Sequence, residues 1–215
     1  MVNKMKILSV NIAEKREITR NGRTRFTGIY KNPVKTSIYL GEQDVKNDAV
    51  VDRKYHGGEN MAVYAYGKNN YPFFEELHPD LKFTNGMFGE NLTLSNLNET
   101  EIKIGDTFRV GEAIIQVSQP RLPCATLGVR FGSQKIVKQL LNTSFSGIYF
   151  RVLQEGNVQK DDELTLIKSD EDSMTLAAVF SLFTTNKKNE KMIKKALSLD
   201  LLSERLKGDI RRKLK

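Results

Sequence analysis

The chain has 215 residues, of which 39% are hydrophobic and 28% charged, with a formal net charge of +8. That length suits one domain with a small appendage. No stretch approaches the roughly 18 apolar residues that cross a bilayer, and the N-terminus turns polar after Leu8-Ser9-Val10, so a cytoplasmic protein without a membrane partner is expected.

Met5 to Ala13 reads as a first strand, followed by a polar loop rich in Arg and Gly. Val34 to Leu40 is a short strand headed by Pro33. Ala49 to Tyr66 holds two apolar runs split by the turn-like Tyr55-His56-Gly57-Gly58, and the second run, Met61 to Tyr66, is β-like. Tyr71 to Leu77 reads as a short helix starting near Pro72, and Asn91 to Leu94 as a strand. Ile102 to Val110 and Ala113 to Val117 form a hairpin around Val110-Gly111-Glu112. In Ser133 to Leu141, residues Ile136, Val137, Leu140 and Leu141 fall on one helical face. Gly147 to Leu153 and Glu163 to Ile167 are strands separated by a turn at Glu155-Gly156-Asn157.

Many short strands with few long helices predict a mainly β, barrel-like domain over residues 1–167. Composition shifts at Ser169-Asp170-Glu171-Asp172. Ser173 is positioned to cap a helix over Met174 to Phe183, Glu190 to Leu197 reads as a second helix, and Asp200 caps a third in which Leu202, Leu206, Ile210 and Leu214 recur. Residues 168–215 thus predict a small three-helix unit, too small to hold its own core. It packs on the barrel or pairs with a second subunit as a homodimer.

A single cysteine, Cys124, excludes an internal disulfide. His56 and His78 lack the short paired spacing of a protein-built zinc site, so a transition metal here takes most of its ligands from a cofactor. Phosphate-loop, dinucleotide-fingerprint, nucleophile-elbow and HExxH patterns do not occur. The net positive charge favours anionic partners. In the tail, however, eleven cations between Lys187 and Lys215 face seven acids between Asp170 and Asp209, and nucleic-acid binding is not expected.

Three segments carry chemistry. In Asp52-Arg53-Lys54-Tyr55-His56-Gly57-Gly58, two glycines allow a tight turn beside cations that suit an anion; by itself this is also an ordinary β-turn. In Gly86-Met87-Phe88-Gly89-Glu90-Asn91-Leu92-Thr93, glycine permits close approach and Glu90 and Asn91 offer hydrogen bonds, or the segment simply leads into a strand. Gln119-Pro120-Arg121-Leu122-Pro123-Cys124 is a proline-stiffened loop beyond a strand end, where Arg121 favours a thiolate at Cys124. The alternative is an inert buried cysteine.

Taken in order, Gly28-Ile29-Tyr30-Lys31-Asn32-Pro33-Val34, Asp52 to Gly58, Phe88-Gly89-Glu90-Asn91-Leu92, Gln119 to Cys124 and Gly147-Ile148-Tyr149-Phe150-Arg151-Val152-Leu153 resemble the MOSC domain family, the C-terminal domain of molybdenum cofactor sulfurase. The likeness extends to its stand-alone bacterial YiiM-like subgroup, which carries a C-terminal three-helix domain. The resemblance implies a MOSC β-barrel binding a molybdopterin cofactor, with Cys124 as catalytic residue and metal ligand. It further implies cofactor contacts from Lys31, Arg53, His56, Gly57, Gly58, Gly89, Glu90, Asn91, Arg121 and Arg151. The implied activity is reduction of N-hydroxylated compounds such as base analogues and hydroxylamines, a detoxification reaction, with electrons from a partner flavoprotein or reductase. The competing function is a non-catalytic cofactor carrier or sulfur-transfer module in which Cys124 bears a persulfide.

Overall fold

A computed structural model describes residues 5–20, 22–51, 53 and 56–212. Asp52, Lys54 and Tyr55 of the first glycine motif, and Lys213, Leu214 and Lys215 of the expected third tail helix, lie outside the described residues.

In chain order, strand β1 (Met5–Ile12) is followed by β2 (Arg16–Arg20), β3 (Arg23–Thr27), β4 (Asn32–Val34) and β5 (Ile38–Leu40). Strand β6 (Val63–Gly67), helix α1 (Tyr71–Leu77) and strands β7 (Leu92–Leu94), β8 (Thr107–Val110) and β9 (Ala113–Pro120) come next. Helices α2 (Ala125–Arg130) and α3 (Lys135–Leu141) lead to β10 (Ile148–Gln154), β11 (Gly156–Val158) and β12 (Glu163–Lys168), and the tail carries α4 (Leu176–Ser181), α5 (Glu190–Ser198) and α6 (Glu204–Arg212).

Seven strands close a barrel in the order β1, β7, β6, β10, β9, β8, β12 and back to β1, where Met5 pairs with Leu164. Among the described strands, only β6 and β7 run parallel. Strand β4 pairs with the far part of β1, while β2 with β3 and β5 with β11 form separate two-stranded ribbons. The chain is therefore mainly β, as the strand pattern predicts.

The two-residue side-chain period builds two cores from one sheet. On β6, Val63 and Ala65 point into the barrel, while Tyr64 and Tyr66 join an outer aromatic layer with Tyr71, Phe74, Phe88 and Phe131. Tyr66 stacks on Phe88 at 4.2 Å between ring centroids, a geometry that favours the pair beyond its buried area. The tail does not form a core of its own: Leu176, Val179, Leu202, Leu206 and Ile210 belong to the barrel's apolar cluster. The tail thus packs on the barrel.

Several elements differ from the sequence expectation. The Arg-rich loop after Ala13 is the β2–β3 hairpin, hidden from the sequence because its strands are polar on both faces. Val34 to Leu40 is two strands, β4 and β5, paired in different sheets. Only the end of Ile102 to Val110 is a strand, because Gly105 (φ 90°) turns the chain and Asp106 accepts from the Lys103 amide at 2.9 Å and the Ser169 hydroxyl at 2.6 Å. The Glu155-Gly156-Asn157 turn opens directly into β11. Helix α4 is capped by Thr175, whose hydroxyl accepts from Ala178 N, while Ser173 donates to Ile104 O instead. Ser203 rather than Asp200 accepts from the first turn of α6, at 3.2 Å from Leu206 N. Both are ordinary cap chemistry displaced by two or three residues.

Candidate functional site

A cleft of about 780 Å³ opens at one end of the barrel. Its wall draws on the β2–β3 hairpin, the segment 48–51 with His56, the ends of β6, β9 and β10, and the tail helix α6.

Cys124 lies on this wall, half-buried, as the residue preceding α2. Prolines 120 and 123 stiffen its approach from β9, the last strand residue being Pro120. Burial pushes the thiol up, but a hydrogen bond from His56, the charge of Arg121 and the Leu127 amide outweigh it and hold the pKa at about 6, below the ordinary 9.0. At neutral pH Cys124 is therefore mainly a thiolate, the form that binds soft metals and attacks electrophiles. His56 and Arg121 line the same cleft as Cys124 and both lower its pKa, although they lie far apart in the chain.

Arg121 is buried, with its guanidinium 4.5 Å from the Tyr64 ring centroid and one Nη donating to Phe88 O. Its Nε is one of three buried side-chain atoms without a hydrogen-bond partner among the described residues, with Tyr66 Oη and Arg130 Nε. A buried donor left without an acceptor costs about 1–3 kcal/mol, so this atom is poised for an acceptor brought by a ligand.

Lys31 and Asn91 line the cleft around Asp48. Lys31 forms a buried ion pair with Asp48, and Asn91 Nδ2 donates to the same carboxylate at 2.9 Å. Burial lowers the Lys31 pKa and Asp48 opposes that shift. Gly89, also on the wall, has φ 80°, and a Cβ there would lie 2.9 Å from Ile29 Cγ1. Both features make glycine the residue that lets the Phe88–Asn91 segment run against Ile29.

The other expected site residues sit elsewhere. Glu90 is fully buried and accepts from Gly86 N at 2.8 Å, Phe88 N at 3.0 Å, the Thr93 hydroxyl at 2.9 Å and the Tyr71 hydroxyl. It organises the glycine loop and does not reach the cleft. Arg151 spends its donors on Asn60 Oδ1, Gln116 Oε1 at 2.9 Å and Leu201 O at 2.8 Å, holding the tail to β10. Arg53 is exposed and pairs with Asp44. Gly57 and Gly58 shape the turn beside His56: a Cβ on Gly57 would lie 2.8 Å from Val50 Cγ1, and Gly58 precedes a short 3-10 turn at Glu59–Met61. Neither glycine lines the cleft.

Sequence reasoning missed Arg20, Arg25, Tyr64, Gln119, Tyr149 and Arg205, all of which line the cleft. The Arg-rich stretch after Ala13 was a signal for the first two. Arg205 was visible only as one of many tail cations.

Cys124 as a soft thiolate and Arg121 as a buried guanidinium with an open donor fit the chemistry of a molybdopterin.

Residues 52–165 match the MOSC domain. The chain is 36% identical over 207 residues to Uncharacterized protein YflK of Bacillus subtilis (strain 168), covering 96% of this chain and 93% of that protein. A protein named Reductase from Gibberella moniliformis (strain M3125 / FGSC 7600) is 32% identical over 146 residues, 66% of this chain but 26% of its own length. The crystal structure of YiiM from Geobacillus stearothermophilus superposes with a TM-score of 0.82 at 31% identity, covering 98% of this chain and all of that one.

Proposed function

The chain belongs to the MOSC domain family, and from that premise we propose that it binds a molybdenum cofactor in the cleft and reduces N-hydroxylated compounds, with Cys124 ligating the metal. The observation that carries this reading is the Cys124 sulfur on the wall of a cleft sized for a cofactor-like ligand, held as thiolate by His56 and Arg121. The similarity to a fungal protein named a reductase supports the reaction class.

In this reading Cys124 supplies the thiolate. Arg121 would offer its open Nε to an oxygen of the bound cofactor, and Lys31, Asp48 and Asn91 fix the neighbouring wall through their shared polar contacts. When bound, the cofactor supplies two-electron redox chemistry. The overall change is R–NHOH plus two electrons and two protons giving R–NH2 and water: the N–O bond breaks and nitrogen is reduced. The electrons come from a flavoprotein or other reductase, for which the +8 chain favours an acidic partner face.

The test is metal analysis of protein made in cells with intact cofactor synthesis, beside reduction of N-hydroxyadenine by a viologen dye. Wild type should carry about one molybdenum per chain and turn over, and Cys124→Ala should do neither. Stoichiometric molybdenum in Cys124→Ala would remove the ligand assignment. The low thiol pKa also suits a persulfide carrier; bound cofactor with no turnover of any N-hydroxylated substrate would favour that second reading.

A further inference from the structure

The cleft has two tiers of positive charge. Its floor holds the buried cations Lys31 and Arg121. Lys31 is offset by Asp48, leaving Arg121 beside the Cys124 thiolate. Its more exposed rim holds Arg20 and Arg25 from the hairpin and Arg205 from α6. In the hairpin Ile18 pairs with Arg25 and Arg20 with Arg23, so the two-residue period puts Ile18, Arg20 and Arg25 on one face. All three line the cleft, as do Phe26 and Thr27 at the end of β3.

Arg205 arrives from the other end of the chain and is held in place. The Ser203 hydroxyl, two residues before it, donates to Gln119 Oε1 on the cleft wall. Arg151 grips Leu201 O, and the Leu201 side chain fills the space a Cβ would need at Gly105, approaching to 2.6 Å. Arg205 itself contacts Met61 Sδ at 3.9 Å, another wall residue. Asp209, an acid of α6 that lines the cleft, is paired with Arg212.

The rim cations are all arginine, although the tail is rich in lysine. A guanidinium fork matches a phosphate bidentately, which an ammonium does not. The geometry points to a second anion subsite at the rim, formed by Arg20, Arg25 and Arg205, that binds a phosphate monoester carried by the substrate. The substrates are then N-hydroxylated nucleotides rather than free bases. This rests on the proposed function for its chemistry but not for its test. The same phosphate chemistry could come from the cofactor, and the experiment separates the two sources.

Adenosine monophosphate and adenosine are titrated calorimetrically into cofactor-free wild type, Arg205→Ala and Arg25→Ala, each first shown to match wild type in thermal midpoint and circular dichroism. Molybdenum content is measured in parallel on protein from cofactor-competent cells. Wild type should bind the monophosphate at least tenfold more tightly than the nucleoside, and either substitution should shrink that ratio roughly tenfold, as loss of a charge-assisted hydrogen bond predicts. Equal affinity for the two ligands in wild type overturns the subsite. A wild-type preference unchanged in both variants overturns the assignment to these arginines. Loss of molybdenum in the variants, with no nucleotide preference in wild type, assigns them to the cofactor's phosphate and overturns the proposal. The titrations need no turnover, so failure of the reductase reading leaves them interpretable.

Discussion

Glu99 offers a clean test of how burial sets stability in this fold. Its side chain is almost completely buried, and Oε1 accepts from Gly147 N at 3.1 Å and Asn70 Nδ2 at 3.4 Å. Burial raises its pKa to about 7 from the ordinary 4.5, and those hydrogen bonds only partly offset the shift. Between these values the folded chain keeps a proton that the unfolded chain releases. The stability contributed by the neutral acid is complete below pH 4.5, falls as pH rises through the folded pKa, and is gone above it. At about 1.4 kcal/mol per pKa unit the loss is about 3 kcal/mol. Glu99→Gln keeps an oxygen for both donors and turns its amide toward a polar cavity lined by Asn69, Asn98 and Ser144. It should therefore match wild type near pH 4.5 and exceed it at pH 8 by up to about 3 kcal/mol, or roughly 6–12 °C in Tm for a chain of this size. Urea or thermal unfolding of both proteins from pH 4.5 to 8 measures the difference, and every other titrating group cancels between them. A Glu99→Gln difference that stays constant with pH would refute the reasoning.

Two further outcomes follow from the site and the tail. In cofactor-free protein, the rate of Cys124 alkylation by iodoacetamide should rise with pH through a midpoint near 6, and His56→Ala should move that midpoint up; a wild-type midpoint near 9 would show that His56 and Arg121 do not hold the thiolate. Arg151→Ala leaves Leu201 O, Gln116 Oε1 and Asn60 Oδ1 short of a donor. It should cost about 2–4 kcal/mol in urea denaturation and expose the tail to limited proteolysis, whereas a loss below about 0.5 kcal/mol would mean that apolar packing alone holds the tail.

The strands with one dominant pattern, such as β1, β10 and β12, were legible because alternation or a continuous apolar run marks them. Helix α1 was legible from its proline and aromatic content. The hairpin β2–β3 was not, since its residues are polar on both faces and pair without a core beneath most of them. Helix α2 was hidden because its six residues are too short to show a period. At the site, Cys124 and Arg121 share a proline-stiffened loop, which advertised them. Glu90 and Arg151 stand in the same motifs as cleft residues yet serve the loop and the tail, because a motif records which residues recur together and not which way a buried side chain turns. The rim arginines were illegible for the opposite reason: Arg25 and Arg205 become neighbours of one cleft only after the barrel closes and α6 folds against it.

That closure also constrains when the cleft can exist. The barrel is sealed where β1 meets β12, with Met5 opposite Leu164, two residues roughly 160 positions apart in the chain, a separation that adds to the entropic cost of closure. Such non-local pairing slows folding and ties it to late steps. During synthesis β1 has β4 and β7 as early partners, but its pairing with β12 must wait for nearly the whole barrel domain, and α6, which supplies a further wall, emerges later still. Cys124 is translated well before α6, so the wall around its sulfur stays incomplete until α6 has folded against the barrel.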